Sequence, residues 1–257
     1  MSNAGSETLR LHLRTRVEAF KGSGEWEEVF FTRELPAKET ALLLCDVWDK
    51  HWCEGATQRV GEMVSTMNEV VSIARNRGVQ IIHAPSDTLD FYADSPHRQR
   101  ILAVPRVAPP EPLEIPDAPL PIDDSDGGCD TGQEPWYKAW TRQHPAIEIT
   151  GNDVISDNGV EVYSLLRAQG IGHLILMGVH TNMCVLGRSF AIRQMTRWGI
   201  RCLLMRDLTD TMYNPAKRPC VDHFTGTELV IQHIERYWCP TITSSDFTGR
   251  PPFRFAR

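Results

Sequence analysis

The amino-acid sequence predicts a three-layer α/β/α sandwich built on a mainly parallel, doubly wound sheet. Short continuous apolar runs, which are typical of buried parallel strands, alternate along the chain with segments of helical periodicity. Several of the predicted helices are followed directly by glycine. The length of 257 residues is sufficient for one large core. Strands and helices that alternate in this way favour a parallel sheet with helices on both faces.

The first two elements lie outside that alternation. Residues 9–20 and 26–35 are extended segments separated by a Gly-containing turn, and they predict a hairpin within an N-terminal arm at residues 1–38. The main domain is placed at residues 39–257. Its predicted strands are residues 40–46, 79–84, 146–149, 173–179, 200–206 and 241–244, and its predicted helices are residues 57–77, 160–169, 182–198 and 226–237.

Periodicity is lost in an inserted segment at about residues 85–145, which is rich in proline. A long irregular segment inside a compact domain is usually either functional or disordered. Three aromatic residues, Trp136, Tyr137 and Trp140, argue against disorder. We therefore expect a lid or a subunit interface here. Together with the hairpin, this segment leads us to expect a homo-oligomer.

Composition excludes several classes of function. The net charge of −6 and the pI of about 5.9 favour neither a nucleic acid nor a membrane as partner. The seven cysteines are scattered without a CxxC pair, so neither a disulfide framework nor a structural zinc site is expected. No apolar run is long enough to span a bilayer, and no signal peptide is recognisable. We expect a cytoplasmic protein whose partner is a small-molecule substrate.

Polar residues stand at the carboxyl ends of the predicted strands, where open parallel sheets bind ligands. Asp46 ends the first strand, and Cys184 follows the strand at residues 173–179. A buried carboxylate is costly unless it is paired, so Asp46 is either a site residue or the cap of a helix or loop. Cys184 falls in the first turn of a predicted helix, where backbone N–H groups favour a thiolate and can bind an oxyanion. Its apolar neighbours equally permit a buried structural cysteine.

Two segments resemble isochorismatase-like cysteine hydrolases, a group that includes nicotinamidases, carbamoylsarcosine amidohydrolases and isochorismatases. Residues 42–48, Leu-Leu-Leu-Cys-Asp-Val-Trp, look like the first strand of that group. Residues 178–185, Gly-Val-His-Thr-Asn-Met-Cys-Val, are similar to its nucleophile segment. The resemblance covers about residues 40–85 and 145–245 and implies the same three-layer fold.

The resemblance also implies chemical roles. Asp46 would be the general base, and Cys184 would be the nucleophile that attacks a carbonyl carbon and forms a thioester acyl-enzyme. A cis peptide bond between Val179 and His180 would aim the N–H groups of His180 and Cys184 into one oxyanion hole.

Trp48, His83 and Thr181 are the expected substrate-binding residues. Trp48 follows Asp46 by two positions and returns to the same strand face, where it either floors a planar substrate or packs in the core. Asp207, after the strand at residues 200–206, is interpreted as a structural residue that holds a helix N-terminus or a loop.

The third catalytic residue of the group, a lysine just after the third strand, is missing. No lysine follows the third predicted strand until Lys217. Loss of that positive charge is expected to raise the pKa of Cys184. Lys138, Arg142 or His180 would have to substitute for the lysine.

Nicotinamidases of this group bind a metal through one aspartate and two histidines near the second strand. His51, His83 and Asp87 lie in the corresponding region, but the Asp-x-His spacing is missing. We therefore expect no metal and no cofactor.

The leading hypothesis is a cysteine hydrolase that cleaves an amide or ureide C–N bond of a small carbonyl compound. Retention of Cys184 favours this reaction, because isochorismatase proper hydrolyses a vinyl ether without a cysteine. The missing lysine leaves a second hypothesis, a catalytically impaired relative that binds a small molecule or serves as an oligomeric scaffold. A redox-sensing thiol protein is a third, although no resolving cysteine lies near Cys184 in sequence.

Overall fold

The computed structural model describes residues 7–134 and 137–256. Trp136, one of the three aromatic residues of the predicted lid, lies outside the described residues. The strands are β1 (Thr8–Glu18), β2 (Trp26–Pro36), β3 (Thr40–Cys45), β4 (Gln80–Ala84), β5 (Val154–Ile155), β6 (His173–Val179), β7 (Arg201–Asp210) and β8 (Thr241–Ile242). The helices are α1 (Glu54–Asn76), α2 (Pro96–Leu102), α3 (Gly159–Ala168), α4 (Cys184–Gly187), α5 (Ile192–Arg197), α6 (His223–Tyr237) and α7 (Ser245–Thr248).

All eight strands form one sheet in the order β2-β1-β8-β7-β6-β3-β4-β5. The six strands from β8 to β5 are parallel, and the antiparallel hairpin β1–β2 extends the sheet at one edge. One face packs against α1 and α7, and the other packs against α3, α5 and α6. The predicted three-layer, mainly parallel α/β fold is confirmed.

The central strands are apolar along their whole length because they are covered on both faces. Every residue of β3 and β6 is buried. Successive side chains of a strand point to opposite faces, so Leu42 and Leu44 pack against α1 while Leu43 packs on the other side. The continuous apolar run at residues 173–179 is observed as a strand with the predicted bounds.

Two predicted elements differ from the structure. Residues 146–149 are not a strand, and the third parallel strand is β5 (Val154–Ile155). The single helix expected over residues 182–198 is interrupted, because the chain is extended at Arg188 and at Ala191 between α4 and α5. Periodicity did not reveal this break, since the apolar residues on both sides of it belong to the same core.

The hairpin is joined to the main sheet by a buried ion pair. Glu235 of α6 is buried, and its carboxylate accepts hydrogen bonds from Arg14 Nε at 2.6 Å and from the hydroxyl of Thr241 at 2.6 Å. Arg16 lies 3.3 Å from the same carboxylate. On the opposite face, leucines of β1 enter the core with α1. The predicted N-terminal arm is therefore part of the main sheet.

The inserted segment is mostly irregular but docked. It contains α2 and a short 3-10 turn at Leu89–Tyr92. Its end is held by His144, whose N–H donates to the carbonyl of Val47 at 2.8 Å. Trp140 is buried within its own chain, whereas Tyr137 is exposed. No helix in the described part of the chain is long and apolar enough to cross a membrane.

Replacing Arg14 by alanine should lower the free energy of unfolding by about 3 kcal/mol, because it leaves the buried Glu235 without its closest cation. Urea unfolding at neutral pH measures the change. The matched control is Arg10→Ala, which removes an exposed arginine from the same strand and should change stability by about 0.5 kcal/mol or less. Equal losses of stability in the two variants would contradict the proposed role of the Arg14–Glu235 ion pair in joining the hairpin to the main sheet.

Candidate active site

A buried carboxylate, Asp46, stands at the end of β3 in the middle of the sheet. β3 lies between β6 and β4, where the order of the strands along the chain reverses, and open sheets form their ligand crevice at such a point. Asp46 is fully buried and has a positive φ of 48°. Its N–H donates to the carbonyl of Ala84 at 3.0 Å, and its Oδ1 accepts the N–H of Ser86 at 2.7 Å. The carboxylate is thereby fixed in place.

The thiol of Cys184 lies against this carboxylate and hydrogen-bonds to it. Cys184 begins α4, and the backbone N–H of His180 donates to its sulfur. The peptide bond between Val179 and His180 is cis, which is the geometry that the sequence resemblance implies. The preceding Gly178 is required here, because a Cβ at this position would come within 2.0 Å of the carbonyl oxygen of Cys45. The absence of that Cβ lets the ends of β3 and β6 approach.

A guanidinium, that of Arg188, lies against the carboxylate of Asp46. Arg188 Nε donates to Asp46 Oδ2 at 3.2 Å, and its Nη2 lies 3.5 Å from the carboxylate of Asp87. Arg188 ends the short helix that Cys184 begins, and its N–H donates to the carbonyl of Cys184 at 3.0 Å. A spacing of four residues puts the two side chains on the same side of a helical turn. That spacing was the sequence signal that could have identified Arg188.

The three substitutes expected from the sequence do not reach the carboxylate. Lys138 donates to the backbone carbonyl of Asp87, and Arg142 stacks over the ring of Phe91 at 5.5 Å. His180 contributes its backbone N–H to the sulfur rather than a positive charge. Arg188 therefore corrects this part of the sequence interpretation.

The electrostatics favour a protonated thiol beside a carboxylate. Burial raises the pKa of Cys184 well above its ordinary value, and the charge of Asp46 raises it further. Burial also raises the pKa of Asp46, while Arg188 and the Cys184 thiol oppose that rise. The prediction that a helix N-terminus would favour a thiolate at Cys184 is wrong. Because α4 has only four residues, its effect on the pKa of Cys184 is smaller than the opposite effect of burial beside the anionic Asp46.

A cavity of about 280 Å³ opens onto the sulfur of Cys184. Most of its lining residues are aromatic or carry a thioether, and two are charged. The lining consists of Trp48, His51, Trp52, Asp87, Gly127, Trp140, His180, Met183, Cys184, Arg188 and Met212. The rings of Trp48 and Trp140 are stacked, with centroids 4.1 Å apart and planes within 9°. The ring of His51 is nearly parallel to that of Trp140 at 5.6 Å. These flat surfaces match a small planar ligand.

Neutral polar groups complete the lining. Burial lowers the pKa of His51 to about 4, and burial also lowers the pKa of His180 well below its ordinary value. His51 Nδ1 accepts the N–H of Cys53 at 3.2 Å, so the proton of neutral His51 lies on Nε2. The side-chain nitrogens His180 Nε2 and Trp140 Nε1 are buried and have no hydrogen-bond partner among the described residues.

The inserted segment supplies one wall of the cavity. Gly127 and Trp140 both come from it. Gly128 lies so close to the backbone of Met212 that a Cβ would approach the Met212 carbonyl oxygen to 2.3 Å. The amide of Asn182 bridges Met212 and Asp124 of the insertion. These contacts attach the segment beside the cavity, and its expected role as a lid or a subunit interface stays a prediction.

Two of the three expected substrate-binding residues do not line the cavity. His83 Nδ1 faces Gln143 at 3.0 Å, and its Nε2 faces the carboxylate of Asp153 at 3.1 Å. The hydroxyl of Thr181 pairs with that of Thr209 at 2.7 Å. Both side chains are satisfied inside the protein and act as structural links. Trp48 does line the cavity, so it combines packing with a site position.

The residues considered for a metal are not brought together. His51 lines the cavity, His83 is held by Gln143 and Asp153, and Asp87 pairs with Arg188. A different group in the described part of the chain has ligand atoms within 4.8 Å of one another, and it consists of Cys53, Cys129 and Asp130. Both carboxylate oxygens of Asp130 already accept hydrogen bonds from Arg59, at 2.7 and 3.0 Å.

Asp207 and Asp210, at the end of β7, have structural partners. The carboxylate of Asp207 accepts the N–H groups of Ser244 and Phe253, which agrees with its interpretation as a loop-holding residue. Asp210 is buried between Arg59 Nε at 2.7 Å and His223 Nε2 at 2.8 Å. Neither aspartate lines the cavity.

Comparison with known proteins places this geometry on an established fold. No protein-family model and no curated protein sequence matches the chain. A cysteine hydrolase from Pseudomonas syringae pv. phaseolicola 1448A matches with a TM-score of 0.53 and 17% identity, over 82% of this chain and 92% of that one. An isochorismatase from Pseudomonas putida KT2440 matches with a TM-score of 0.49 and 14% identity, over 82% of this chain and 91% of that one. The first match shows that the chain has the isochorismatase-like fold.

Replacing His51 by glutamine should change how stability depends on pH. The pKa of His51 is about 4 in the folded chain and 6.5 when unperturbed, so the unfolded state takes up a proton first as the pH falls below 6.5. Wild-type stability relative to the variant should therefore decrease by about 1.4 kcal/mol per pH unit between these values. Urea unfolding at several pH values measures the difference.

The matched control is His233→Gln. Burial lowers the pKa of His233 to about 4 as well, but this residue lies on α6, away from the cavity. It should give the same change of slope. Stability curves that run parallel to wild type for both variants would contradict the assignment of buried neutral histidines.

Proposed function

We propose that this chain is an isochorismatase-like cysteine hydrolase that cleaves an amide or ureide C–N bond of a small carbonyl compound. The observation that carries the proposal is the buried carboxylate of Asp46, which contacts both the thiol of Cys184 and the guanidinium of Arg188. These are the three parts that such chemistry requires, namely a nucleophile, a base and a cation that keeps the base charged. The shared fold of a cysteine hydrolase supports it.

The protonation state defines the first step. Because burial and Asp46 raise the pKa of Cys184, the resting nucleophile is a thiol rather than a thiolate. Asp46 accepts the thiol proton as the sulfur attacks the carbonyl carbon, so the proton moves along the existing hydrogen bond. Protonated Asp46 then gives that proton to the departing nitrogen, and the C–N bond breaks to leave a thioester. In the second half, Asp46 deprotonates water, which attacks the thioester carbon. The C–S bond breaks, the acid is released, and Asp46 returns the proton to the departing sulfur, which restores the thiol and the carboxylate.

Arg188 replaces the family lysine from a different part of the chain. Its positive charge lowers the pKa values of both Asp46 and Cys184, which is the effect needed to keep Asp46 ionised inside the protein. Since the guanidinium also reaches Asp87, its position is fixed from two sides. Arginine stays protonated throughout, so we assign it a positioning and electrostatic role and no proton transfer.

The negative charge that develops on the carbonyl oxygen needs donors. We assign this role to the backbone N–H groups of His180 and Cys184, as the resemblance implies. The backbone of His180 interacts with the thiol of Cys184 and lowers its pKa, which supports the assignment of this N–H to the oxyanion site. Two backbone donors of this kind are typical of oxyanion sites.

The lining of the cavity supports a planar, uncharged substrate. Trp48 and Trp140 offer a stacked aromatic surface, and His51 and His180 are held neutral by burial. An amide or ureide is flat and uncharged, which matches these surfaces.

The second candidate, a catalytically impaired binding protein, was motivated by the missing lysine. Arg188 weakens that motive because it supplies a cation to the same carboxylate. The high pKa of Cys184 is the observation that still favours it. The two candidates differ in whether incubation with small amides ever produces an acyl adduct on Cys184.

Replacing Arg188 by glutamine should lower kcat/KM for amide hydrolysis about 10- to 1000-fold, because one nearby positive charge shifts a carboxyl pKa by about 1–3 units. Arg188→Lys should recover part of that loss. Cys184→Ala should abolish turnover, and Asp46→Asn should reduce it about 100- to 10000-fold. A screen of small amides and ureides, read by ammonia or amine release, identifies the substrate and then measures each variant.

Arg142→Gln is the matched control, because it removes a guanidinium of the inserted segment that does not contact Asp46. Its kcat/KM should stay within a few-fold of wild type. Full hydrolytic activity in Cys184→Ala would overturn the mechanism, and equal losses in the Arg142 and Arg188 glutamine variants would overturn the role of Arg188.

A further inference from the structure

A second pair of thiols lies outside the site described above. Cys53 directly precedes α1, and Cys129 belongs to the inserted segment. Their sulfur atoms lie within 4.8 Å of each other, and each lies 3.5 Å from the hydroxyl oxygen of Thr131. Both residues are buried, with Cys129 6% exposed. The proposed hydrolysis uses neither of them.

The surrounding chain holds these two sulfurs at a fixed separation. The hydroxyl of Thr131 accepts the N–H of Gly55 at 3.1 Å, and Gln133 Oε1 accepts the N–H of Glu54 at 3.0 Å. The insertion thus satisfies N–H groups at the beginning of α1. Next to them, Asp130 and Arg59 form a two-pronged ion pair across the same junction. The two thiols lie close together because these contacts hold the backbone of the insertion against the beginning of α1, and not only because of the conformations of the two side chains.

The two thiols differ in acidity in the way that a disulfide-forming pair requires. Burial opposes ionisation of Cys129, but hydrogen bonds from Cys53, Thr131 and the backbone N–H of Gln133 lower its pKa below the ordinary value. Burial raises the pKa of Cys53. Because Cys129 is also the more exposed of the two thiols, 6% against 0% for Cys53, we assign it the first reaction with an oxidant and assign Cys53 the resolving step.

The alternative occupant of this junction is a thiophilic metal. A metal would take both sulfurs and a carboxylate oxygen of Asp130. Arg59 occupies both oxygens of that carboxylate, and its positive charge lies beside the position of the metal. The third ligand is thus already engaged, and oxidation of the two thiols is the chemistry that remains.

We propose that Cys53 and Cys129 are a modification site at which peroxide forms a reversible disulfide that ties the inserted segment to α1. The Cys129 sulfur attacks hydrogen peroxide, the O–O bond breaks, and a sulfenic acid and water are produced. The Cys53 sulfur then attacks the sulfenic sulfur, the S–O bond breaks, and a second water leaves with the Cys53 proton. In total, the two thiols lose two electrons as they form the disulfide, and one hydrogen peroxide gains these electrons and is reduced to two waters.

The structural consequence falls on the cavity wall. Gly127, two residues before Cys129, lines the cavity, and Trp52, next to Cys53, lines it too. Trp48, Trp140 and the two cysteines belong to one buried hydrophobic cluster. A covalent link here fixes the inserted wall against α1. The modification itself does not depend on the hydrolysis proposed above, so the two proposals fail separately.

The test treats the whole reduced protein with stoichiometric hydrogen peroxide, blocks the remaining thiols with an alkylating agent and maps the peptides without reduction. The expected result is one linked peptide pair, Cys53 with Cys129, which dithiothreitol separates. Oxidation should also raise Tm by roughly 5 °C, because the link closes a long loop. Cys53→Ser should leave a sulfenic acid on Cys129 that dimedone traps.

Cys220→Ser is the matched control, since it removes an exposed thiol and should leave the linked peptide pair unchanged. Alkylation of both Cys53 and Cys129 after peroxide treatment would overturn the proposal. So would a stoichiometric zinc ion in the isolated protein that protects these two thiols from alkylation, because it would make the pair a metal site.

Discussion

The burial of one carboxylate, Asp46, is the constraint on which the rest of the site depends. An ionised carboxylate inside a sheet is unstable unless hydrogen bonds and an opposite charge compensate it. Here the N–H of Ser86, the thiol of Cys184 and the guanidinium of Arg188 do so together. The same three contacts place a nucleophile against a base. The contacts that compensate the buried charge are thus the same contacts that assemble the site.

The inserted segment makes that arrangement effective. It brings Trp140 over Trp48, and its Gly127 lines the same cavity as Cys184, so the insertion supplies part of the wall around the site. Charge interactions are stronger in such surroundings than in water. The insertion is anchored to α1 by Asp130 and Arg59, so the thiols at this junction lie where a covalent link would act on the cavity wall.

The sequence predicted most of the sheet because buried parallel strands leave an unmistakable apolar run, as at residues 173–179. It also located Asp46 and Cys184, since the carboxyl ends of such strands converge. The sequence did not predict the contact of Arg188 with Asp46. A continuous helix was expected over residues 182–198, whereas the chain leaves the helix at Arg188 and directs this side chain to Asp46. His83 was misplaced for a related reason: its partners, Gln143 and Asp153, lie far away in sequence and only the fold brings them near.

The measurement that tests the central claim most directly is the pH dependence of Cys184 alkylation in wild type and in Asp46→Asn, followed residue by residue by mass spectrometry. A thiol that is kept protonated by burial and by a neighbouring carboxylate should react with an apparent pKa above the free value of about 8.5. Removal of the carboxylate charge should shift that pKa down. Fast labelling at neutral pH in wild type, or no shift in Asp46→Asn, would contradict the coupling of Cys184 to Asp46.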